Sequence, residues 1–468
     1  MTKKTKIMAT IGPASESEEV LTQLIEHGVN IFRFNLKHNV FDWHKTVINK
    51  AREIANRMKM EIGILVDFQG PEIRIETNGG EEINIEEGES LFIGNEFNEV
   101  QKIIKINPSL ATKKIKIGDV IFLNNGDLEL KVIKKNNKLI ELKSENKAII
   151  KNNKSINLIS EKNELPILAS RDMETLAKLE QINPDYIALS FVRTQRDVEI
   201  LKALLNKINK GVKVVAKIEN SIAIKNIEEI IKIADGIMIA RGDLGIEVPI
   251  KELAFWQKKI IDLCRKESKP VIVATQMLGS MVENSHPTRA EATDVSNAVF
   301  DGTDVLMLSE ETSIGKYPIK VVKEMSEIAE FSENTKEIRN IIIDTQTPTE
   351  VLVDAAVNIV LNNKNLKIKA VVIFTESGKT ARIFSRYRLN LPIIAMTDNL
   401  DTVRSLIMSY GVESYYKKFN ETNFRMPKSL VKNISNIVTL ESGDTLVVIH
   451  GNNWMESEST SDISLVTV

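Results

Sequence analysis

Eight short apolar segments, most of them followed at once by a charged or hydroxyl side chain, constrain the fold of this chain more than any other feature. Each segment suits one buried strand, and amphipathic helical segments, such as residues 17–27 and 42–57, fit between them. This alternation predicts a parallel α/β architecture, and eight strands predict a (β/α)8 TIM barrel. The predicted strands span residues 6–12, 31–35, 62–68, 186–191, 213–219, 236–241, 270–277 and 305–310.

Polar side chains occupy the carboxyl ends of seven of the eight predicted strands. In a parallel barrel these ends meet at one rim, where active sites are built, so we expect one site there. The polar residues are Arg33, Asn35, Asp67, Ser190, Lys217, Glu219, Asp243, Thr275, Ser309 and Glu311.

Two runs at neighbouring strand ends indicate the chemistry: Lys217-Ile218-Glu219-Asn220 and Arg241-Gly242-Asp243-Leu244-Gly245. Glu219 and Asp243 supply the oxygen ligands that a hard divalent ion prefers. Lys217 can neutralise a phosphate beside that ion. A single Lys-x-Glu is usually an exposed charged pair, but two such runs at one rim favour metal-assisted phosphoryl transfer.

The pattern changes after Pro71 and again near residue 346. Residues 72–165 alternate with period two between turn signals, which predicts a small β-barrel lid inserted after the third strand. A helix at 349–361 and strands at 370–374, 392–396 and 445–450 predict a C-terminal α/β domain. We therefore assign residues 1–70 and 167–342 to the catalytic barrel, 71–166 to the lid and 343–468 to the C-terminal domain.

Composition excludes several classes of protein. A net charge of −2 gives no general attraction to nucleic acid or an anionic membrane, and 43% hydrophobic residues suffice for large cores. The single cysteine, Cys264, rules out a disulfide framework and suits a reducing cytoplasm. The first residues lack the apolar stretch of a signal peptide, so we expect a cytoplasmic protein with no nucleic-acid or membrane partner.

Beyond these features, the chain resembles the pyruvate kinase family over nearly its full length. The resemblance is carried by ordered, specific runs. They are Thr5-Lys6-Ile7-Met8-Ala9-Thr10-Ile11-Gly12-Pro13, Arg33-Phe34-Asn35, Gly70-Pro71-Glu72-Ile73-Arg74, Lys217-Ile218-Glu219-Asn220, Arg241-Gly242-Asp243-Leu244-Gly245, Ala274-Thr275-Gln276-Met277, Pro287-Thr288-Arg289-Ala290-Glu291 and Ser309-Glu310-Glu311-Thr312.

The resemblance implies phosphoryl transfer from phosphoenolpyruvate to ADP, giving pyruvate and ATP in the last step of glycolysis. It implies that Glu219 and Asp243 bind Mg2+, or Mn2+ in its place, and that Lys217 and Arg33 bind the phosphoryl group. It implies that Gly242, Asp243 and Thr275 bind the substrate carboxylate. Thr275 would also help to protonate the enolate, with Ser309 and Glu311 on the proton path.

Nucleotide contacts are implied for Asn35, His38, Arg74 and Lys154, the last acting as the lid closes. Three alternatives stay open at this stage. Arg33 can pair with Asp67 as well as hold phosphate, Thr275 can simply cap a helix, and His38 can be a solvated loop residue.

One departure from the family concerns its potassium site, which the resemblance maps to Asn35, position 37, Asp67 and the carbonyl of residue 68. The family typically has Ser at Lys37, Gly at Asn39 and Thr-Lys at Phe68-Gln69. We predict that the Lys37 ammonium takes the place of potassium, held by Asp67 and Asn35, so that potassium is not required. The alternative is that Lys37 points to solvent and the site is weakened.

Other departures affect the lid and regulation. The lid turn reads Asn124-Asn125-Gly126 where the family has Asp-Asp-Gly, and Ile222 stands where the family often has an acid. The loop of Thr375, Ser377, Gly378, Lys379 and Thr380 resembles the family's effector-phosphate pocket, although a capped helix explains it equally well.

Glu456 and Glu458 would repel a second phosphate, so we expect a monophosphate effector or none. A homotetramer is the family's usual state. Two rival functions remain: a catalytically impaired metabolite-binding regulator, and another pyruvate-handling barrel such as a lyase.

Overall fold

The computed structural model describes residues 3–468 with gaps. It leaves out residues 72, 99–100, 137, 159–164, 209–210, 336–337, 340, 364, 419–430, 432–433, 436 and 452–459. Of residues 110, 114, 125, 157 and 158 it describes the backbone alone.

The chain begins with three barrel strands and two helices. Both helices have the apolar face that packs on a sheet, and Ser17 caps the first by accepting the Val20 amide. The elements are β1 (Lys6–Thr10), α1 (Glu18–Glu26), β2 (Val29–Asn35), α2 (Phe41–Met58) and β3 (Gly63–Asp67).

The insert that follows is a small β unit with its own apolar core. Its strands are β4 (Arg74–Thr77), β5 (Ile83–Ile85), β6 (Ser90–Gly94), β7 (Ile103–Asn107), β8 (Val120–Leu123), β9 (Leu128–Lys135), β10 (Leu139–Ser144), β11 (Ala148–Ile150) and β12 (Ile156–Leu158). Seven of them form one sheet in the order β12-β8-β9-β10-β6-β7-β4, and β5 pairs with β11. An antiparallel bridge between Arg74 and Ser155 joins the two edges of the larger sheet.

The chain then returns to complete the barrel. The strands are β13 (Tyr186–Leu189), β14 (Lys213–Ile218), β15 (Gly236–Ala240), β16 (Val271–Ala274) and β17 (Val305–Leu308). The helices are α3 (Ser170–Leu176), α4 (Gln195–Ile208), α5 (Ser221–Lys225), α6 (Ile227–Ile233), α7 (Arg241–Glu247), α8 (Ile250–Lys266), α9 (Arg289–Asp301), α10 (Glu310–Ser313) and α11 (Pro318–Thr335).

Eight parallel strands close the barrel in the order β1-β17-β16-β15-β14-β13-β3-β2. The last barrel strand in the sequence, β17, pairs with the first, β1, and Lys6 lies opposite Val305. The predicted (β/α)8 barrel with an inserted β lid is therefore confirmed.

The C-terminal unit is a five-stranded sheet with helices. Its elements are α12 (Pro348–Asn362), β18 (Lys367–Phe374), α13 (Lys379–Ser385), β19 (Ile393–Thr397), α14 (Leu400–Ser405), β20 (Val412–Tyr416), β21 (Asp444–Gly451) and β22 (Thr460–Thr467). The strand order is β20-β19-β18-β21-β22, parallel except for β22. Two of these strands, β20 and β22, were not among those predicted.

This C-terminal unit closes the amino-terminal mouth of the barrel. Ile407 and Met408 pack into the barrel's inner core beside Tyr186, the first residue of β13. The Tyr186 hydroxyl donates to the carbonyl of Arg404 at 2.6 Å. Burial of each apolar side chain stabilises this contact by about 1.5–3 kcal/mol, and the opposite rim is left for the site.

Seven of the eight barrel strands end one to three residues earlier than predicted, and three of these ends have a clear local cause. The predicted strand 270–277 stops at Ala274, because Thr275 and Gln276 adopt φ of 68° and 55°. The strand predicted to reach residue 191 stops at Leu189, and Phe191 likewise has φ of 56°. The third, expected to reach 310, stops at Leu308 because α10 begins at Glu310.

Among the described residues, no helix is both long and apolar enough to cross a membrane.

Candidate active site

Two strand ends deliver the central residues of the site. β14 ends at Ile218, and Asn220 then caps α5 by accepting the Ala223 amide at 2.8 Å. The cap turns the chain into α5 directly after Glu219, and because side chains alternate along extended backbone, Lys217 and Glu219 project to the same side. β15 ends at Ala240, and α7 begins at once with Asp243 in its first turn.

The Lys217 side chain contacts three other side chains at this rim. Its ammonium lies 2.9 Å from Glu219 Oε1 and 3.2 Å from Asp67 Oδ1, and it donates to Ser190 Oγ at 2.8 Å. Burial disfavours the charged amine, but the carboxylates of Asp67 and Glu219 outweigh it and hold the pKa of Lys217 above its usual range. The lysine is therefore a fixed positive charge.

Asp67 ties Lys217 to Arg33. Arg33 donates from Nε at 2.8 Å and from Nη2 at 2.7 Å to Asp67 Oδ2, and from Nη1 to Thr10 Oγ1 at 2.8 Å. Burial opposes ionisation of Asp67, yet Lys217 and Arg33 hold its pKa below the usual range. The alternative of an Arg33–Asp67 pair is thus observed, and it orients Arg33 at the rim.

Glu219 is buried and accepts the Phe191 amide at 2.6 Å through Oε2. Burial raises the pKa of Glu219 to about 7; Lys217 lowers it, and the like charge of Asp243 raises it. Among the described residues no cluster of three or more His, Cys, Asp or Glu could hold a metal by itself. Two repelling carboxylates do fit Mg2+, which usually combines one or two carboxylates with substrate oxygens and water.

Thr275 sits in a strained backbone beside α7. A β-branched residue at φ 68° is an outlier, and such strain costs about 1–3 kcal/mol and concentrates at functional sites. Its hydroxyl donates to the Ala274 carbonyl at 2.6 Å and accepts the Gly242 amide at 2.8 Å. The Gly242 amide, expected to bind a substrate carboxylate, is therefore engaged by Thr275, and that bond would have to be exchanged.

A polar cleft unites most of the expected residues. It is lined by Arg33, Asn35, Lys37, Asp67, Phe68, Ser190, Lys217, Glu219 and Asp243, together with Phe191, Arg193, Ser221, Ile222 and Glu247. The sequence did not single out Glu247, although it follows Asp243 by four residues and so shares its helix face. Burial raises the pKa of Glu247 to about 7, against the hydrogen bonds from Ser221.

The expected cation pocket lies within this cleft. The Lys37 amide donates to Asn35 Oδ1 at 3.1 Å, and the Phe68 carbonyl accepts the Ser190 hydroxyl at 2.7 Å. Both oxygens of Asp67 are already engaged, by Arg33 and by Lys217, and these cations compete with Lys37 for it. The pairing of Lys37 with Asp67 stays a prediction.

The expected nucleotide residues lie around the cleft. The described residues that line the cleft do not include His38, Arg74 or Lys154. They do include Ile73 and Ser155, the sequence neighbours of Arg74 and Lys154. Arg74 donates to the Asn153 carbonyl at 2.8 Å, and the Ile75 amide donates to the Lys154 carbonyl at 3.0 Å. His38 is exposed, and its carbonyl accepts the His44 ring at 2.8 Å.

Ser309 and Glu311 occupy the rim beside β17. The Ser309 amide donates to Glu311 Oε2 at 2.6 Å, while the Ser309 hydroxyl is buried and has no hydrogen-bond partner in the described part of the chain. Burial raises the pKa of Glu311. A buried hydroxyl beside such a carboxyl suits the proton path expected from the sequence.

The C-terminal loop expected to bind phosphate adopts a tight turn. Thr375 Oγ1 accepts the Gly378 amide at 3.0 Å, Gly378 has φ of 77°, and α13 begins at Lys379. Ser377 is exposed, and the Thr380 hydroxyl bonds that of Thr460 at 2.9 Å. The acids expected to exclude a second phosphate, Glu456 and Glu458, lie outside the described residues.

Comparisons with known proteins agree with this architecture. Residues 2–322 match the pyruvate kinase barrel domain, and residues 350–466 match the pyruvate kinase alpha/beta domain. A pyruvate kinase of Staphylococcus epidermidis is 38% identical over 454 residues, covering 96% of this chain and 78% of that protein. One from Staphylococcus aureus is 37% identical over 464 residues, covering 98% and 79%.

A solved structure gives the same result in three dimensions. The crystal structure of a pyruvate kinase from Cryptosporidium parvum superposes with a TM-score of 0.91 at 32% identity, covering 99% of this chain and 96% of that one. The barrel, its inserted lid, the lysine and carboxylates at one rim and these matches lead to one conclusion: the chain belongs to the pyruvate kinase family of phosphotransferases.

Proposed function

We propose that this protein transfers the phosphoryl group of phosphoenolpyruvate to ADP, giving pyruvate and ATP. The observation that carries the proposal is the buried Lys217 ammonium, held between the carboxylates of Asp67 and Glu219 in a polar cleft. A fixed cation of this kind offsets the charge that develops on a phosphoryl group in transit.

Glu219 and Asp243 are the proposed ligands of Mg2+, or of Mn2+ in its place. The bound ion would draw charge from the carboxylate and enol oxygen of the substrate. The proposal is supported by the mutual repulsion of the two carboxylates, which a cation relieves.

Arg33 binds the phosphoryl group together with Lys217. Its guanidinium is oriented by Asp67 and Thr10, so little side-chain entropy remains to be lost on binding. Gly242 and Asp243 bind the substrate carboxylate through the first turn of α7. The Thr275 hydroxyl then passes a proton to the enolate carbon, with Ser309 and Glu311 supplying that proton from the buried side of the rim.

ADP occupies the side of the cleft that faces the lid. Asn35, His38 and Arg74 contact its phosphates in this proposal, and Lys154 reaches them when the lid closes. Because the lid turn carries Asn124 and Asn125 in place of acids, its contribution to nucleotide binding comes from hydrogen bonds and shape rather than charge.

Lys37 serves as the built-in monovalent cation, so the enzyme is independent of potassium. Support comes from its position in the cleft lining with Asn35, Asp67 and Phe68, the residues of the expected cation pocket. A tethered ammonium delivers the same unit charge as potassium without a binding step.

Regulation and assembly complete the proposal. The loop from Thr375 to Thr380 binds a monophosphate effector or none, and the protein forms a homotetramer in the cytoplasm. Support for the effector loop comes from its tight turn at Gly378, immediately before α13.

The test is pyruvate formation from phosphoenolpyruvate, ADP and Mg2+, with potassium replaced by tetramethylammonium at equal ionic strength. Equal rates in the two buffers are expected for the wild type. The Lys37→Ser variant should become dependent on potassium, whereas Lys207→Ser, at an exposed site on α4, should not. Activity of Lys37→Ser without potassium contradicts the cation role, and no activity in a folded wild type favours the regulator.

A further inference from the structure

The first turn of α3 touches two regions of the site that are distant in sequence. We propose that Arg171 and Asp172 form a clamp: Arg171 positions the loop Lys37–Asn39, and Asp172 fixes the two chain segments that join the barrel to the lid. The inference rests on the proposed function and concerns how that site is held in shape.

Asp172 bonds both connections at once. Its side chain is buried, with 1% of its surface exposed. Oδ1 accepts the Gln69 amide at 2.9 Å, and Oδ2 accepts the Gly70 amide at 3.0 Å and the Ala169 amide at 2.9 Å. Gln69 and Gly70 lie where the chain leaves the barrel, and Ala169 lies where it returns.

The segment by which the chain leaves the barrel, at Gln69 and Gly70, has little freedom to rearrange. Gly70 has φ of 69°, and a Cβ there would lie 2.9 Å from the Ser190 Cβ. Gly70 also lies three residues after Asp67 and two after Phe68, both residues of the expected cation pocket. A carboxylate that holds both connections therefore also fixes the backbone beside Asp67.

Arg171 binds a different segment. Its Nη1 donates to the Lys37 carbonyl at 3.1 Å, and its Nη2 donates to the carbonyls of His38, at 3.5 Å, and Asn39. Three consecutive carbonyls face one guanidinium because Asn39 takes the left-handed conformation, with φ of 56°. The ring of His44, which is buried on α2, donates to the same His38 carbonyl at 2.8 Å.

These contacts make Arg171 a positioning residue. Within the described part of the chain, the hydrogen bonds of its guanidinium go to main-chain oxygens, and the loop that it shapes carries Lys37 into the cleft. Because Arg171 and Asp172 are adjacent on one rigid turn, a movement of the lid connections displaces the guanidinium and with it the loop. Lid position and loop shape are thereby linked.

Steady-state kinetics of Arg171→Met and Arg171→Lys test the clamp, with Arg196→Met as the matched control. Arg196 is an exposed arginine on α4 whose contact is an ion pair with Glu199. Loss of the charge-assisted bonds should raise the KM for ADP about tenfold in Arg171→Met, with the KM for phosphoenolpyruvate changed less than about twofold. Arg171→Lys keeps a cation and should recover part of the loss, and it carries the test if Arg171→Met does not fold.

Hydrogen–deuterium exchange gives a readout independent of activity. Arg171→Met should raise exchange in the peptide containing Lys37–Asn39, and Asp172→Asn should raise it in the peptides containing Gln69, Gly70 and Ala169. Two results overturn the proposal: kinetics of Arg171→Met that match Arg196→Met, or a fall in kcat that tracks lost stability without a shift in the KM for ADP. If the wild type makes no pyruvate, the proposed function fails, and unchanged exchange in the variants then overturns the clamp separately.

Discussion

Replacing Asp67 by Asn should damage both folding and catalysis, whereas the same change at Asp304 should damage folding alone. Asp67 is buried between Arg33 and Lys217 at the rim. Asp304 is equally buried at the other end of the barrel. It accepts Arg388 Nη2 at 2.6 Å and the amides of Val271 and Tyr410 at 3.1 and 2.9 Å.

The size of the effect follows from the charges left behind. Either change removes an anion and leaves a buried guanidinium without its partner, which costs about 3–5 kcal/mol of the free energy of unfolding. At Asp67 the variant also releases Arg33 and Lys217 from their fixed positions. Loss of that preorganised charge should lower kcat by at least about a hundredfold.

The contribution of Asp67 to the free energy of unfolding depends on pH in a defined direction. The folded-state pKa of Asp67 lies below the 3.8 of the free side chain, so its ionised form stabilises the fold fully above that value. The stabilisation is lost as the pH falls through the lowered folded pKa. The gap in stability between the wild type and Asp67→Asn should therefore be constant from pH 5 to 7 and shrink below about pH 4.

Urea unfolding can be followed by the fluorescence of Trp43 and Trp256, which lie on barrel helices α2 and α8, alongside the pyruvate assay. Both variants should unfold at lower urea, and Asp67→Asn should be far the slower enzyme. A kcat for Asp67→Asn equal to that of Asp304→Asn would refute the role of Asp67 in holding the site.

Three further outcomes are expected. In calorimetry, Gly378→Ala should lower the melting temperature of the C-terminal unit by more than Gly443→Ala does. Both glycines have positive φ, but only a Cβ at position 378 meets neighbouring atoms within 3 Å, so equal shifts would contradict the steric argument. Thr275→Ser should keep kcat within about tenfold of the wild type while Thr275→Val loses about a hundredfold, and equal rates would remove the hydroxyl from the mechanism. Ile407→Ala should destabilise the protein by about 2–5 kcal/mol in thermal unfolding. An unchanged stability would show that packing of Ile407 into the barrel mouth does not stabilise the fold.

The barrel and the rim could be predicted because they depend on local patterns. Buried parallel strands produce continuous apolar runs, and the polar residue that ends each run marks the rim, as with Lys217 and Asp243. Strand ends were less predictable. Thr275 and Phe191 leave the strand through left-handed backbone, which their residue types disfavour, so only tertiary contacts impose it.

Other parts of the site depend on contacts between distant segments. Arg171 and Asp172 look like ordinary polar residues of a short helix. The carbonyls that accept from Arg171, and two of the three amides that donate to Asp172, lie more than a hundred positions away in the sequence. Ser190 was expected at the rim, but its bonds to Lys217 and the Phe68 carbonyl join three strands and leave no local trace. Strands β20 and β22 are short or amphipathic edge strands, whose pattern is weak.

The closure of the barrel by β1 and β17 also has a consequence for synthesis on the ribosome. Lys6 pairs with Val305, so the first strand emerges long before its neighbour on that side exists. At roughly 5–20 residues per second, it waits about 15–60 s for that partner. During this interval β2 can cover one edge of β1 while the other stays open, and Ile407 and Met408 reach the barrel mouth later still. The nascent barrel is thus an incomplete sheet with an exposed edge, a natural target for chaperones that shield unpaired strands.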